Sequence, residues 1–222
     1  MFNYIGNPNS IKDLNLANFH LAKIERKDIP ILVIDDEIFD YKDELERHDF
    51  NIMYMNDIDK IDLVLPYEII LCDIKGIGKK FKSPFEGAHI ISEIRKKYPF
   101  KTILAFSAYL YNASFNKYLR MADNTLKKDI GIDDWVEKLD DAIDSAKNPA
   151  LRWIKVRDHL IEKDIPLFDI VKLENEYVKQ LNKNKNLNNF PSKTLTSQFS
   201  DDVKAVLTSF TASVIFKLIF PS

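Results

Sequence analysis

The sequence is poor in the residues that mark several common classes of protein. Cys72 is its single cysteine, which excludes an internal disulfide framework and a zinc site built from several cysteines. Five glycines among 222 residues argue against collagen-like, linker-rich or low-complexity designs. A net charge of -2 gives no electrostatic basis for non-specific nucleic-acid binding, so a nucleic-acid partner is not expected.

Sequence signals for a membrane or for export are also lacking. Residues 1–12 contain no basic stretch followed by an apolar one, so no signal peptide is expected. The most apolar stretch, residues 203–220, contains Lys204 and Lys217. Its uncharged run is shorter than the ~20 residues that a membrane span needs. We therefore expect a soluble, cytoplasmic protein with no membrane partner.

Short apolar runs alternate with segments of helical periodicity from Ile29 onward. The runs predict five strands, at residues 31–34, 51–55, 68–72, 102–106 and 125–126. The periodic segments predict helices at 38–45, 88–98, 114–121 and 132–146. This alternation predicts an α/β fold, a doubly wound five-stranded parallel sheet with helices on both faces.

The pattern changes at Asn148-Pro149, beyond which no strand is convincing. Apolar stripes predict helices at 151–161, 170–181 and 203–218, with an Asn- and Lys-rich loop at 182–193. We therefore divide the chain into an N-terminal extension (1–28), an α/β domain (29–148) and an all-α C-terminal region (149–222). The extension carries no pattern that assigns its structure.

Polar side chains gather where the predicted strands end. Asp35 and Asp36 follow the first strand, Asp73 the third and Ser107 the fourth, while Lys128 follows the fifth. The carboxyl ends of parallel strands meet at one edge of the sheet, where α/β proteins bind their ligands. An acid in this position can also be a simple helix cap, and Lys127 competes with Lys128.

Together these side chains suit metal-assisted phosphoryl transfer. Crowded carboxylates repel one another, and a hard divalent cation such as Mg²⁺ relieves that repulsion with oxygen ligands. Asp73 could attack a phosphoryl group as a carboxylate nucleophile. The metal, an ammonium group from Lys128 and the hydroxyl of Ser107 could stabilise the charge of the transferred group.

Four stretches resemble the receiver domain of two-component response regulators, which has a flavodoxin-like fold. They are Ile-Leu-Val-Ile-Asp-Asp-Glu (31–37), Ile-Ile-Leu-Cys-Asp (69–73), Ile-Leu-Ala-Phe-Ser-Ala (103–108) and Ala-Asp-Asn-Thr-Leu-Lys-Lys (122–128). The resemblance covers roughly residues 30–147. It implies a phosphoprotein that accepts phosphate from a histidine kinase or phosphotransfer protein, and no enzyme beyond possible autodephosphorylation.

The resemblance also implies a role for each motif position. Asp35 and Asp36 would bind Mg²⁺, and Asp73 would bind Mg²⁺ and accept the phosphate. The backbone carbonyl of Lys75 would complete the metal shell. Ser107 would hydrogen-bond the phosphoryl group, and Lys128 would form an ion pair with it.

The chain departs from the receiver pattern at several positions. Asp129 stands where the family usually has proline, and Thr125 stands where it has its switch aromatic. Tyr109 is a candidate substitute for that aromatic. The loop at 74–84 is long and basic, and Lys75 brings a charge close to the proposed site.

Other sites are excluded by the same residues. A phosphatase with two aspartates separated by one residue would need an acid at Lys75, and residues 76–79 lack the full spacing of a phosphate-binding loop. Buried in a strand pattern, Cys72 is predicted to be a core residue.

The sequence leaves open which function the helical region performs. We predict that 149–222 binds protein, either a second copy or another chain. One alternative is a receiver-fold scaffold that does not switch. Another is a DNA-binding regulator with an unrecognised output fold.

Overall fold

The computed structural model describes residues 7–19, 21–107, 115–184 and 186–220. The sheet has five parallel strands in the order β2-β1-β3-β4-β5, which is the flavodoxin-like order of doubly wound folds. Its strands are Pro30–Ile34 (β1), Asn51–Met55 (β2), Ile69–Asp73 (β3), Thr102–Ser107 (β4) and Asn124–Lys127 (β5). The predicted fold class is confirmed, and each predicted strand lies within two residues of its observed bounds.

Nine α-helices occur among the described residues. They are Lys42–Arg47 (α1), Glu86–Lys97 (α2), Asn116–Leu119 (α3), Ile132–Lys147 (α4), Pro149–Glu162 (α5), Leu167–Lys179 (α6), Lys193–Thr196 (α7), Asp201–Thr211 (α8) and Val214–Ile219 (α9). Helix α1 packs against α4 and α2 against α3, while both α2 and α4 contact β3. Every residue of β3 and β4 is buried, as expected for strands covered on both faces.

Helix α5 and the start of α9 contact residues at the amino ends of the strands. Glu68, which precedes β3, forms a fully buried ion pair with Arg152 of α5, at 2.8 Å between Oε2 and Nη1. The ammonium of Lys155 of α5 lies 2.8 Å from Asp123, just before the amino end of β5. The helical region therefore covers the edge of the sheet opposite the ends of β1, β3 and β4 that carry the acids and Ser107.

Each half of the chain has an aromatic centre. Trp135 of α4 is fully buried and contacts Phe106 of β4 edge to face, with ring centroids 6.0 Å apart. Trp153 of α5 stacks on Tyr177 of α6 at 5.0 Å, and its Nε1 donates to Glu174. The two tryptophans thus lie in two different parts of the core.

The N-terminal segment, which the sequence left unassigned, is a series of 3₁₀ turns. Their bounds are Ile11–Asp13, Leu16–Asn18, Leu21–Lys23 and Arg26–Asp28. The backbone N–H of Ile11 donates to Glu174 of α6, and Phe19 contacts Phe220 edge to face. At its other end Arg26 pairs with Asp140 of α4 at 2.7 Å. The segment therefore bridges the helical region and the α/β part.

Several predicted helix bounds are wrong. The final apolar stripe forms two helices, α8 and α9, because Ser213 interrupts it: its hydroxyl accepts a hydrogen bond from Arg152, and Ile215 N–H then points at Glu68. The first helix begins at Lys42, so Ile38, where the predicted helix began, lies outside it and is 85% exposed.

Two further boundaries differ from the predicted ones. A π-helical turn extends from Gln180 to Asn184, so helical structure continues past the predicted helix end at 181 into the predicted loop. Helix α3 is shorter than predicted, and Ser114 lies outside the described residues. Among the described residues, no helix is long and apolar enough to cross a membrane.

Candidate phosphoacceptor site

Three aspartates meet at the carboxyl ends of β1 and β3. These strands are neighbours in the sheet, with Ile34 paired with Cys72, so the residues that follow or end them lie side by side. One carboxylate oxygen each from Asp35, Asp36 and Asp73 lies within 4.8 Å of the other two. Asp35 and Asp73 are buried and Asp36 is exposed, so the cluster opens to solvent on one side.

Asp73 is held by backbone and side-chain contacts on both of its oxygens. Its Oδ1 accepts hydrogen bonds from the N–H of Ile74 at 2.6 Å and of Lys75 at 3.3 Å. Its Oδ2 lies 2.6 Å from Nζ of Lys128. A Cβ at Gly87 would lie 1.8 Å from the backbone oxygen of Asp73, so the start of α2 packs directly on Asp73.

Lys128 brings positive charge into the cluster. Its backbone N–H donates to the carbonyl of Ser107, which continues the pairing of β4 with β5 for one more residue. Its ammonium contacts Asp73, Asp35 at 3.0 Å and Glu37 at 3.4 Å. Lys127 is exposed, so the structure brings Lys128, as predicted, to the acids.

The charges of the cluster shift one another's protonation. Burial raises the pKa of the Asp73 carboxyl, while the hydrogen bond and charge of Lys128 act against that rise. Burial would lower the pKa of Lys128, but its hydrogen bonds to Asp73 and Asp35 raise it above the ordinary value. The ammonium is therefore firmly protonated, and it offsets only part of the negative charge of three carboxylates.

Ser107 ends β4 beside the acceptor strand. It is buried, and in the register of the sheet Asp73 pairs with Phe106, one residue before it. The backbone of Lys75 is also at the site, through its N–H bond to Asp73. The predicted roles of the Ser107 hydroxyl and the Lys75 carbonyl are consistent with these positions and stay predictions.

The loop after Asp73 is shaped by two glycines in the left-handed region, Gly76 at φ +79° and Gly78 at φ +76°. The N–H of Gly76 donates to Glu86 of α2 at 2.7 Å, and the N–H of Gly78 donates to Asp57 at 2.6 Å. Each glycine is thus tied to an acid from a different part of the fold.

Sequence reasoning missed several residues of the site. Glu37 ends the first motif stretch (31–37) and has no role in the sequence prediction, yet it contacts Lys128. Tyr54 of β2 donates its hydroxyl to the carbonyls of Asp35 and Glu37. Lys79 pairs with Asp36 at 3.3 Å, and the only sequence signal for it was the basic character of its loop.

Thr125, Asp129 and Tyr109 are further positions at which the chain departs from the receiver pattern. Thr125 lies in β5 opposite Ala105, and Asp129 is exposed. Tyr109, the candidate substitute for the switch aromatic, lies outside the described residues. Cys72 is a fully buried core residue, as predicted, and burial raises the pKa of its thiol well above the ordinary value.

Comparison with known proteins finds similarity at the level of structure only. No family model matches the chain, and no curated protein matches it. A CheY-like receiver domain protein from Methanospirillum hungatei is similar over 54% of this chain and 96% of its own, with 20% identity and a TM-score of 0.46.

Two other similar structures are described with ligands. The response regulator TrrA from Thermotoga maritima, in complex with Mg²⁺-BeF, shares 25% identity over 51% of this chain and 98% of its own, at a TM-score of 0.42. A response regulator from Burkholderia pseudomallei, with a phosphorylated aspartic acid, a calcium ion and citrate, shares 20% identity over 65% of this chain and 91% of its own, at 0.41.

About half of the chain is therefore similar to response-regulator receiver domains, and the rest is a helical module. The resemblance read from the sequence motifs is confirmed at this level.

Proposed function

We propose that this protein is a two-component response regulator that accepts a phosphoryl group on Asp73. The observation that carries the proposal is the cluster itself: three carboxylates within 4.8 Å of one another, with an ammonium 2.6 Å from the central one. A purely structural cap would need neither the third carboxylate nor the partly buried lysine. The exposed side of the cluster leaves room for a donor to approach.

The donor set of the cluster suits a hard divalent cation. Asp35, Asp36 and Asp73 offer carboxylate oxygens, and the carbonyl of Lys75 is the fourth oxygen that we propose. Mg²⁺ prefers oxygen ligands, keeps several waters and binds through few carboxylates, and the two ammonium groups of Lys128 and Lys79 do not neutralise three acids. When bound, Mg²⁺ would supply positive charge for the phosphoryl oxygens.

The proposed transfer is a displacement at phosphorus. A carboxylate oxygen of Asp73 attacks the phosphorus of a phosphohistidine on the donor protein, and an O–P bond forms as the P–N bond breaks. The electron pair of the broken bond leaves on the imidazole nitrogen, which takes a proton from solvent. Lys128 and the Ser107 hydroxyl stabilise the charge of the transferred group. Water can later hydrolyse the acyl phosphate, which returns Asp73 to its carboxylate form.

Phosphorylation of the purified chain tests the proposal. Incubation with Mg²⁺ and acetyl phosphate should add one phosphoryl group, measured by intact mass, and beryllofluoride should bind in its place. Asp73→Asn should abolish the adduct. Asp59→Asn is the matched control, because Asp59 is an exposed acid outside the cluster that pairs only with Lys80 at 3.3 Å in the described contacts. An equal adduct on Asp73→Asn would refute the assignment.

The output side of the proposal concerns residues 149–222. We propose a histidine kinase or phosphotransfer protein as the donor, a cytoplasmic location, and protein binding by the helical region. The predicted boundaries, 29–148 for the receiver-like part and 149–222 for the helical part, remain part of this proposal.

A receiver-fold scaffold that does not switch is the second candidate. It is favoured by Thr125 in the place of the switch aromatic, and by the buried Glu68–Arg152 pair that ties the helices to the sheet. Hydrogen exchange of the full chain with and without beryllofluoride separates the two functions. Changed protection in α5 to α9 supports the switching regulator, and unchanged protection supports the scaffold.

A further inference from the structure

The most exposed acid of the cluster already has a cation beside it. Nζ of Lys79 lies 3.3 Å from Oδ2 of Asp36, and the Lys79 side chain is 70% exposed. Asp35 and Asp73 share the ammonium of Lys128 instead. Each acid of the proposed metal site therefore contacts the ammonium group of a lysine.

The fold delivers Lys79 to this position through the backbone of its loop. Asp57 accepts the N–H of Gly78 at 2.6 Å on Oδ1 and that of Lys79 at 3.3 Å on Oδ2. On the other side of the loop, Glu86 holds Gly76. A Cβ on Gly76 would lie 2.0 Å from Oδ1 of Asp36, so this part of the loop runs directly against the acid.

We propose that Lys79 is a built-in counter-ion that competes with the divalent cation for Asp36 and so weakens metal binding. The inference rests on the proposed metal site. A carboxylate that binds the metal must give up its ammonium partner, or the metal must tolerate a positive charge beside it. Lys79 is thus a positioning residue that sets the metal concentration at which Asp73 can accept a phosphoryl group.

The next residue in the chain provides a matched control. Lys80 is 71% exposed and lies 3.3 Å from Asp59, an acid outside the cluster. Lys79→Gln and Lys80→Gln therefore remove the same charge from adjacent positions with the same exposure and the same pair distance. A difference in Mg²⁺ affinity between the two variants measures the effect of the direct contact between Lys79 and Asp36. A change that both variants share measures the effect of removing one positive charge from this loop.

Calorimetric titration of the full chain with MgCl₂ at low ionic strength tests the proposal. Lys79→Gln should tighten Mg²⁺ binding about two- to fivefold, the range expected for an exposed ion pair. Lys80→Gln should change it less, and Lys79→Arg should keep the wild-type affinity. In an Asp36→Asn background, Lys79→Gln should have no further effect beyond that of Lys80→Gln.

The outcomes separate this inference from the proposed function. Equal affinities for Lys79→Gln and Lys80→Gln would overturn the counter-ion and leave the metal site standing. An effect of Lys79→Gln that persists in Asp36→Asn would also overturn it. Absence of Mg²⁺ binding to the wild type would overturn both the metal site and the counter-ion.

Discussion

Replacing Arg152 by Met should destabilise the protein severely, because it leaves a buried carboxylate without its ion-pair partner. Glu68 has no exposed surface, and Arg152 is 1% exposed. The guanidinium donates to Glu68 at 2.8 Å and to the hydroxyl of Ser213 at 2.7 Å. Without it, the N–H of Ile215 at 3.4 Å is the remaining hydrogen-bond donor to the Glu68 side chain among the described residues.

The size of the effect follows from this burial. Removing one partner of a buried ion pair costs about 3–5 kcal/mol, since the other charge stays uncompensated. For a chain of this length a cost of about 1 kcal/mol lowers the Tm by roughly 2–4 °C, so we expect a loss of roughly 6–20 °C. The double variant Glu68→Leu/Arg152→Met removes both charges and should recover most of that loss.

Urea unfolding followed by circular dichroism measures these differences as a double-mutant cycle. Lys163→Met is the control, because Lys163 forms an exposed pair with Asp202 at 3.0 Å, which should contribute under about 1 kcal/mol. A loss below about 1 kcal/mol for Arg152→Met, or a double variant as unstable as the sum of the single ones, would refute the buried-charge reasoning.

Three further predictions concern the packing, the charges and the metal. Gly87→Ala should destabilise the chain by at least about 1–3 kcal/mol, because its Cβ would overlap the backbone of Asp73. Gly131→Ala, whose Cβ would meet nothing nearer than 3.9 Å, should unfold close to the wild type in the same thermal melts. Burial lowers the pKa of Lys101 and of Lys155 from 10.5 to about 8, so the folded state binds fewer protons than the unfolded chain above that pH. The free energy of unfolding should therefore rise between about pH 8 and pH 10, and Lys101→Met should flatten the rise. The same slope in Lys101→Met as in the wild type would contradict the lowered pKa of Lys101. Mg²⁺ at 100 times its Kd should stabilise the wild type by about 2.7 kcal/mol, and Asp73→Asn by less, both read from urea unfolding; an equal gain would place the metal elsewhere.

Much of the α/β part could be predicted because its signals are local and agree with one another. Continuous aliphatic runs such as 31–34 can be buried only in a covered sheet, and alternation with helices fixes a parallel order. The division of the last stripe into α8 and α9 could not be predicted. It depends on Arg152 and Glu68, which are distant in sequence and reach Ser213 only in the folded chain.

The residues of the candidate site likewise divide into those that the sequence predicts and those that it does not. Asp35, Asp36, Asp73 and Lys128 could be found from the sequence, because strand order alone brings strand ends together. Lys79 could not, since its contact with Asp36 depends on two left-handed glycines and on the distant acid Asp57. Periodicity and motif spacing carry no information on where such a loop folds.

Because the two tryptophans lie in different parts of the core, each can serve as an intrinsic fluorescence probe of its own surroundings. Trp135 contacts Phe106, and the ammonium of Lys128 lies 5.5 Å from the centroid of that same ring. The fluorescence of Trp135 should therefore respond to phosphorylation or metal binding at Asp73. Trp153 stacks on Tyr177 among the C-terminal helices and should report on them alone. With Trp135→Phe and Trp153→Phe, emission from each half of the chain can be followed in turn, without any added label.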